Sequence, residues 1–245
     1  MITYESFLVG PQSSFIFAFV PKAACTNWKI IIRYLYGHKD YLSSSKAHAE
    51  GIDAIPNIIN SNAHPVRLLR DSSIRKFTCV RNPFTRLLSA YLNKIKRFYE
   101  DADESYLNSF GKLLKEVDEF RMAVLPEKQY IDFETFIHWL ECSDFHSWYP
   151  NNLHWRPQTQ IIGCGQIQFD YIAKLENLST DAPLILDAIR CDIPFPSQEE
   201  IRFPSTHANK LIHSYYTPDL VERVVRLYNS DFDFLGYSKR INDLS

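Results

Sequence analysis

The chain has 245 residues, of which 45% are hydrophobic and 23% charged, a composition typical of a soluble globular protein with enough apolar material for a core. Only seven residues are glycine, which excludes collagen-like and glycine-linker sequences, and a formal net charge of −2 argues against a protein that mainly coats nucleic acid. Five scattered cysteines without a CxxC pair indicate neither a disulfide framework nor a structural metal site.

The first strong pattern is an apolar strand that leads directly into a short turn and an amphipathic helix. Residues 15–20 predict a buried strand, and we expect a helix over residues 26–36 whose apolar face is formed by Trp28, Ile31, Ile32 and Leu35. Backbone N–H groups at a helix N-terminus bind anions because they lack intrahelical acceptors and lie at the positive end of the helix dipole. Lys22 and Thr26 add a positive charge and a hydroxyl. The sequence therefore predicts a site for a phosphate-like anion.

A second strand-to-helix junction follows an irregular region over residues 38–65. Residues 76–80 predict a short strand, after which Asn82 is suited to cap a helix with Pro83 in its first turn. This helix has one apolar face, and its other edge carries Arg86, Ser89 and Asn93. Nine Lys or Arg and one acid lie between residues 67 and 97, whereas residues 100–119 carry seven acids and two lysines. The basic stretch therefore coincides with the second junction.

The remaining elements continue the alternation of strands and helices. The patterns predict helical structure over residues 98–125 and 133–140, a strand over residues 169–175, a helix over residues 182–189, a final helix over residues 218–228 and a closing strand over residues 232–237. This alternation predicts the α/β class, with a parallel sheet that helices cover on both faces. We expect a single domain over residues 1–245.

Two segments carry a family resemblance. Residues 21–28, Pro-Lys-Ala-Ala-Cys-Thr-Asn-Trp, lack the GxxxxGK[ST] pattern of a nucleotide-binding P-loop. They resemble the phosphosulfate-binding loop of the carbohydrate sulfotransferases that include the chondroitin and dermatan enzymes. Residues 80–91, Val-Arg-Asn-Pro-Phe-Thr-Arg-Leu-Leu-Ser-Ala-Tyr, are similar to the 3′-phosphate motif of that family. Looser matches at residues 154–155, 171–176 and 228–237 extend the resemblance over nearly the whole chain.

The resemblance implies a P-loop NTPase-like sulfotransferase fold, with a central parallel sheet flanked by helices. It also implies transfer of a sulfuryl group from 3′-phosphoadenosine 5′-phosphosulfate to a hydroxyl, with a carbohydrate as the expected acceptor. Lys22 would neutralise charge on the bridging oxygen, Arg81 and Ser89 would bind the 3′-phosphate, and Lys210 would contact the nucleotide. The backbone N–H groups of the loop would cradle the phosphosulfate: Ala23, Ala24, Cys25, Thr26 and Asn27. No metal is expected, because these groups can balance the charge of the donor.

Transfer to a hydroxyl also requires a base. In related sulfotransferases a His or Glu between the first helix and the second phosphate strand has this role, and His48 and His64 fall in that window. Ala47-His48 resembles a dipeptide found at a comparable place in the family. His154, beside Trp155, is the rival candidate, and an acid stays an alternative. Cys25 is expected to pack within the loop and not to act as a nucleophile.

Two other interpretations stay open at this stage, a P-loop-type kinase or phosphotransferase and a non-catalytic nucleotide-binding protein on a decayed sulfotransferase fold. The acidic and aromatic region over residues 98–155 is expected to shape the acceptor cleft, for a neutral sugar, a glycolipid or a small metabolite. The apolar segment at residues 15–20 is too short to span a bilayer. With no signal peptide, a cytoplasmic location is expected, and a trimmed Golgi-type anchor is the alternative.

Overall fold

The structure is a computed structural model that describes residues 3–48, 54–61, 64–97, 104–142, 152–202 and 205–244. The chain forms two compact units, one from residues 1–82 and 157–205 and the other from residues 83–156 and 206–245. Part of the expected acceptor region, residues 98–103 and 143–151, lies outside the described residues. Within the described part of the chain, no helix is both long enough and apolar enough to cross a membrane.

The first unit contains a four-stranded sheet in the order β1-β2-β3-β4. The strands are β1 (Phe7–Val9), β2 (Phe15–Ala18), β3 (Arg75–Val80) and β4 (Tyr171–Lys174). Strands β2, β3 and β4 run parallel, which confirms the three predicted strands. Strand β1 pairs antiparallel with β2 and was not predicted, because three apolar residues are too few to show a period. The sheet is therefore mixed, with an antiparallel edge.

The helices confirm the α/β class. In chain order they are α1 (Cys25–Leu35), α2 (Pro65–Arg70), α3 (Pro83–Tyr91), α4 (Glu104–Val124), α5 (Phe133–Cys142), α6 (Gln158–Ile161), α7 (Leu178–Ala188), α8 (Gln198–Ile201), α9 (Ala208–Tyr215), α10 (Pro218–Leu227) and α11 (Asn229–Leu235). A π-helical turn over Leu92–Lys96 continues α3, and a 3-10 turn over Lys46–His48 follows α1.

An aromatic contact fixes α1, and hydrogen bonds fix α7, against the sheet of the first unit. The indole of Trp28 stacks on the ring of Phe17 with 4.8 Å between ring centres, which places α1 on β2. The carboxylate of Asp181 in α7 accepts hydrogen bonds from Tyr171 Oη at 3.1 Å and Lys174 N at 2.7 Å, which ties α7 to β4. Because β2, β3 and β4 are parallel, the segments that follow them lie at one edge of the sheet.

The second unit is helical and is built around an aromatic core. Phe84 of α3 packs its ring 5.3 Å from that of Tyr216 and 4.8 Å from that of Phe232. Tyr216 Oη also donates a 2.9 Å hydrogen bond to Phe84 O, so this buried hydroxyl has an acceptor. The core further buries the following aromatic side chains: Tyr91, Phe133, Phe136, Trp139, Trp155 and Tyr228.

The prediction of a closing strand over residues 232–237 is wrong, because residues 232–235 belong to α11 and Gly236 ends that helix. Phe232 and Leu235 are both buried and lie three residues apart, a spacing that places them on one face of a helix. Gly236 follows with a φ of 64°, the left-handed conformation that commonly ends a helix. Asp and Phe alternate in this segment, and this polar-apolar alternation has the period of two that is typical of a strand. Consequently α10, which begins after its N-cap Thr217, is not the last helix.

Candidate functional site

The loop between β2 and α1 is bent by two residues in the left-handed conformation. Lys22 has a φ of 71° and Ala24 a φ of 54°, conformations that cost a non-glycine residue about 1–2 kcal/mol each. Two hydrogen bonds hold the loop: Ala23 N donates to Val20 O at 3.2 Å, and Arg81 Nη1 donates to Lys22 O at 3.2 Å. Such strain is maintained only where the surroundings fix it, and it is concentrated at functional sites.

Helix α1 begins within this loop. Ala24 has no side-chain group that could cap the helix, and the Trp28 N–H donates to Ala24 O at 3.1 Å. The N–H groups of the preceding first turn, Cys25 to Asn27, therefore start the helix without intrahelical acceptors. The Asn27 side chain is used elsewhere, since its Nδ2 donates to Pro196 O at 2.8 Å. Its backbone N–H is one of the three in this first turn, which are groups of the kind that can bind an anion.

An ion-pair network that is anchored on the buried Arg33 and includes the exposed Asp40 and Lys46 places His48 beside α1. The guanidinium of Arg33, fully buried on α1, donates to Asp40 Oδ1 at 2.8 Å and to Lys46 O at 3.4 Å. Lys46 Nζ lies 2.9 Å from Asp40 Oδ2. The hydrogen bond from Lys46, together with that from Arg33, holds the pKa of Asp40 below its ordinary value. Ala47 is buried against Ile30, and this contact fixes the turn in which His48 is the last residue.

His48 lies between two side chains of α1. Its Nε2 is 3.0 Å from Thr26 Oγ1, and its Nδ1 is 3.4 Å from Lys29 Nζ. Lys29 Nζ also lies 4.2 Å from the centre of the Phe19 ring. Burial lowers the pKa of the Lys29 amine from its ordinary value. Lys29 matches no sequence motif and was not predicted to have a role, although its spacing of three residues from Thr26 puts both on one helix face.

Arg81 occupies the end of β3, where its backbone is held by a carboxamide. Arg81 N donates to Gln158 Oε1 at 2.9 Å, and Gln158 Nε2 donates to Arg81 O at 2.7 Å. The next N–H, of Asn82, donates to Glu176 Oε1 at 2.8 Å. Arg81 itself is only 8% exposed. Sequence reasoning missed Gln158, because no local pattern marks a contact between residues so distant in the chain.

Ser89 and Lys210 belong to the second unit. Ser89, which is 2% exposed, lies with its Oγ 2.9 Å from Thr206 Oγ1. Thr206 precedes α9, and no role was predicted for it from the sequence. Lys210 is exposed in the first turn of α9, and its backbone N–H donates to His207 O at 2.9 Å. The second unit thus pairs the Ser89 hydroxyl with a further hydroxyl.

The rival base, His154, also lies in the second unit. Its Nδ1 is 3.1 Å from Asn152 Oδ1, and its backbone N–H donates to the same oxygen at 3.2 Å. The segment is anchored by Arg86, which is 1% exposed and donates to Leu153 O at 2.6 Å and Arg156 O at 2.8 Å. Arg86 therefore has a structural role. It fixes the backbone on both sides of His154.

The other residues considered from the sequence lie in different surroundings. His64 is exposed at the start of α2, in a shallow open depression that Arg67, Arg70 and Asp71 also line. Cys25 is half-buried in the loop. Burial raises the pKa of Cys79, within β3, to about 12. Within the described ranges, no group of three or more His, Cys, Asp and Glu side chains is arranged to hold a metal ion.

Comparison with known proteins gives a consistent result. The profile of the sulfotransferase family matches residues 5–238. The chain is 26% identical to carbohydrate sulfotransferase 12 of Xenopus laevis, over 96% of this chain and 60% of that protein. It is 24% identical to carbohydrate sulfotransferase 11 of Mus musculus, over 94% of this chain and 66% of that protein. It is 26% identical to carbohydrate sulfotransferase 14 of Homo sapiens, over 94% and 59%.

The chain spans about 60% of the length of the first of these relatives. No solved structure gives a significant match. The matched segment nevertheless includes both strand-to-helix junctions, the turn that carries His48 and the segment that carries His154. The extent of this match means that the chain belongs to the sulfotransferase family.

Proposed function

We propose that the chain transfers a sulfuryl group from 3′-phosphoadenosine 5′-phosphosulfate to a hydroxyl of a carbohydrate. The observation that carries this proposal is the hydrogen bond from Arg81 Nη1 to Lys22 O, which joins two anion-binding elements at the ends of β2 and β3. One element is a lysine-bearing loop at a helix N-terminus, and the other is a buried arginine. Two such groups side by side suit a donor that carries two separate anionic groups.

The donor set of the first unit fits the phosphosulfate end of this molecule. Lys22 supplies a charge from the loop, and the first turn of α1 presents backbone N–H groups. Thr26, a residue that is 5% exposed, adds a hydroxyl. We infer that β2, this loop and α1 form the P-loop-like element of the sulfotransferase fold. The order of strand, loop, helix and parallel strand supports that assignment.

The proposed reaction is an in-line displacement. A bond forms between the acceptor oxygen and sulfur as the bond from sulfur to the bridging oxygen of the 5′-phosphate breaks, and the acceptor proton passes to a base. Lys22 stabilises the negative charge that develops on the bridging oxygen, so its contribution belongs to the transition state. Arg81 binds the 3′-phosphate and thereby fixes the position of the donor. A histidine, His48 or His154, is the proposed base.

A carbohydrate is proposed as acceptor because the relatives are named carbohydrate sulfotransferases. The described residues of α4 include the exposed acid Glu119 and the half-buried acid Glu116, and this favours an acceptor that is not strongly anionic. Neutral oligosaccharides are therefore expected to be better acceptors than highly sulfated chains.

Lys22→Ala tests the mechanism. Labelled donor is incubated with a panel of neutral oligosaccharides, unsulfated glycosaminoglycan chains and small alcohols, and transfer is measured with donor and acceptor saturating. Loss of one charge-stabilising group at the reacting oxygen is expected to lower turnover by about 10²–10³-fold. Lys39→Ala, at an exposed lysine beyond α1, is the matched control and is expected to retain full turnover. Normal turnover of Lys22→Ala would refute the mechanism.

A binding measurement separates the proposed function from its rivals. Adenosine 3′,5′-bisphosphate should bind much more tightly than ATP, because only the former places a phosphate for Arg81 as well as for the loop. Tighter binding of ATP would favour a phosphotransferase. Tight binding of the bisphosphate without transfer to any acceptor of the panel would favour a non-catalytic nucleotide-binding protein.

A further inference from the structure

Three side chains form a continuous row along the first turns of α1. Lys29 Nζ lies 3.4 Å from His48 Nδ1, and His48 Nε2 lies 3.0 Å from Thr26 Oγ1. Thr26 is buried in the first helical turn, among the N–H groups proposed to bind the phosphosulfate. The row therefore runs from a cation, through an imidazole, to a hydroxyl at the anion site.

The chemistry of these groups gives the row a direction. A lysine ammonium can only donate hydrogen bonds, so the His48 Nδ1 that faces it must present its lone pair. A neutral imidazole carries one ring proton, which must then be on Nε2. Nε2–H donates to Thr26 Oγ1, and the hydroxyl hydrogen of Thr26 is left to point away from His48.

The charge on Lys29 decides this direction. Burial lowers the pKa of the Lys29 amine, whereas negative charge at Cys25 would raise it. The Phe19 ring, 4.2 Å from Nζ, favours the ammonium form through its electron-rich face. The ammonium form of Lys29, which this ring favours, donates to His48 Nδ1.

We propose that Lys29 and His48 form a hydrogen-bond relay that makes the Thr26 hydroxyl a donor to the phosphosulfate. The inference rests on the proposed function and refines it. Lys29 and His48 are positioning residues that act through Thr26, and His48 in this tautomer is not the base. The proton of the acceptor then passes to another group.

The turn that carries His48 is built to hold this geometry. Arg33, Asp40 and Lys46 form a network that fixes the turn on α1, and Ala47 is buried beside it. A relay needs fixed distances on both sides of the imidazole, and this turn supplies them.

The tautomer of His48 is the first test. Long-range ¹H–¹⁵N correlation spectra of labelled protein distinguish a protonated ring nitrogen from one with a lone pair, and His48→Gln identifies the His48 signals by their loss. The expected result is a proton on Nε2 and a lone pair on Nδ1. Lys29→Met should remove this preference and give a mixture of tautomers. A proton on Nδ1 in the unmodified protein would overturn the proposal.

His48→Gln and His48→Ala supply the second test. The amide of Gln can accept from Lys29 and donate to Thr26, but it cannot take a proton. For adenosine 3′,5′-bisphosphate, we expect His48→Ala to weaken binding by about 3- to 10-fold and His48→Gln to bind within about 3-fold of the unmodified protein. Thr26→Val should match His48→Ala, whereas Thr26→Ser should retain binding. Equal losses for His48→Gln and His48→Ala would overturn the relay.

Turnover separates the relay from a base. With the best acceptor of the panel, a relay predicts that His48→Gln loses no more than about 10-fold, whereas loss of a general base would cost about 10²–10⁴-fold in both variants. A loss of that size in His48→Gln overturns the proposal. If no acceptor is sulfated, the proposed function fails, but the tautomer and bisphosphate binding still decide the relay.

Discussion

Gln158→Leu removes the carboxamide that holds the backbone of Arg81. The two hydrogen bonds, 2.9 Å from Arg81 N and 2.7 Å to Arg81 O, are buried, and Gln158 itself is 0% exposed. Leucine fills a similar volume but satisfies neither backbone group. A buried polar group left without a partner costs about 1–3 kcal/mol. For the N–H and C=O of Arg81 together, we expect the free energy of unfolding to fall by about 2–4 kcal/mol after the gain from burying leucine. The melting temperature should fall by about 2–4 °C per kcal/mol.

Urea unfolding measures this loss, and titration with adenosine 3′,5′-bisphosphate measures its effect on the site. The matched control is Gln160→Leu in the same helix. Within the described residues, Gln160 Oε1 is buried without a hydrogen-bond partner, so leucine should leave stability unchanged or raise it. Gln158→Leu should also weaken bisphosphate binding by about 10-fold, because Arg81 loses its fixed position. Equal unfolding midpoints for the two variants would refute this account of Arg81.

Two further predictions concern stability. Ala24→Gly should stabilise the protein by about 0.5–1 kcal/mol, because glycine adopts a positive φ without strain. Ala23→Gly, at a buried residue with negative φ, should instead destabilise it by about 1 kcal/mol. Urea unfolding measures both changes in stability, and changes of the same sign would contradict this account. Burial alone would raise the pKa of Asp132, but hydrogen bonds from Lys128 and Thr135 hold it below the ordinary 3.8. The stability lost in Asp132→Asn should therefore be constant above about pH 4 and shrink as the pH falls through the lowered pKa of Asp132. Thermal unfolding of the variant and the unmodified protein between pH 3 and 7 measures this loss. A loss of stability that grows in acid would contradict the prediction.

The parts of the fold that the sequence predicts are those specified by local patterns. Strands β2, β3 and β4 are short apolar runs, and α1 and α3 combine a helical period with a recognisable start. Strand β1 has three residues and no period. Helix α11 was missed because an alternating sequence outweighed the stop signal of Gly236, whose position after Leu235 indicates a helix end.

In the candidate site, too, the sequence predicts the residues that belong to local patterns and misses those that contact them from distant positions. The loop at Lys22 and the strand end at Arg81 are contiguous segments, so sequence alone identifies them. The residues that hydrogen-bond to the predicted site residues are distant from them in the sequence. Gln158 reaches Arg81 from 77 positions away, and Thr206 reaches Ser89 from 117 positions away. Because such contacts exist only after the chain has folded, no spacing rule predicts them.

The carboxamide of Gln158 also determines how fast parts of the site exchange hydrogen with solvent. It gives the Arg81 N–H the same kind of partner that an N–H within β3 has, and Glu176 does so for Asn82. These amides should therefore be protected like a strand, although they lie beyond its end. The first turn of α1 has no such partners within the helix. Its amides should exchange quickly until an anion binds, so deuterium uptake at the turn would report occupancy without any knowledge of the acceptor.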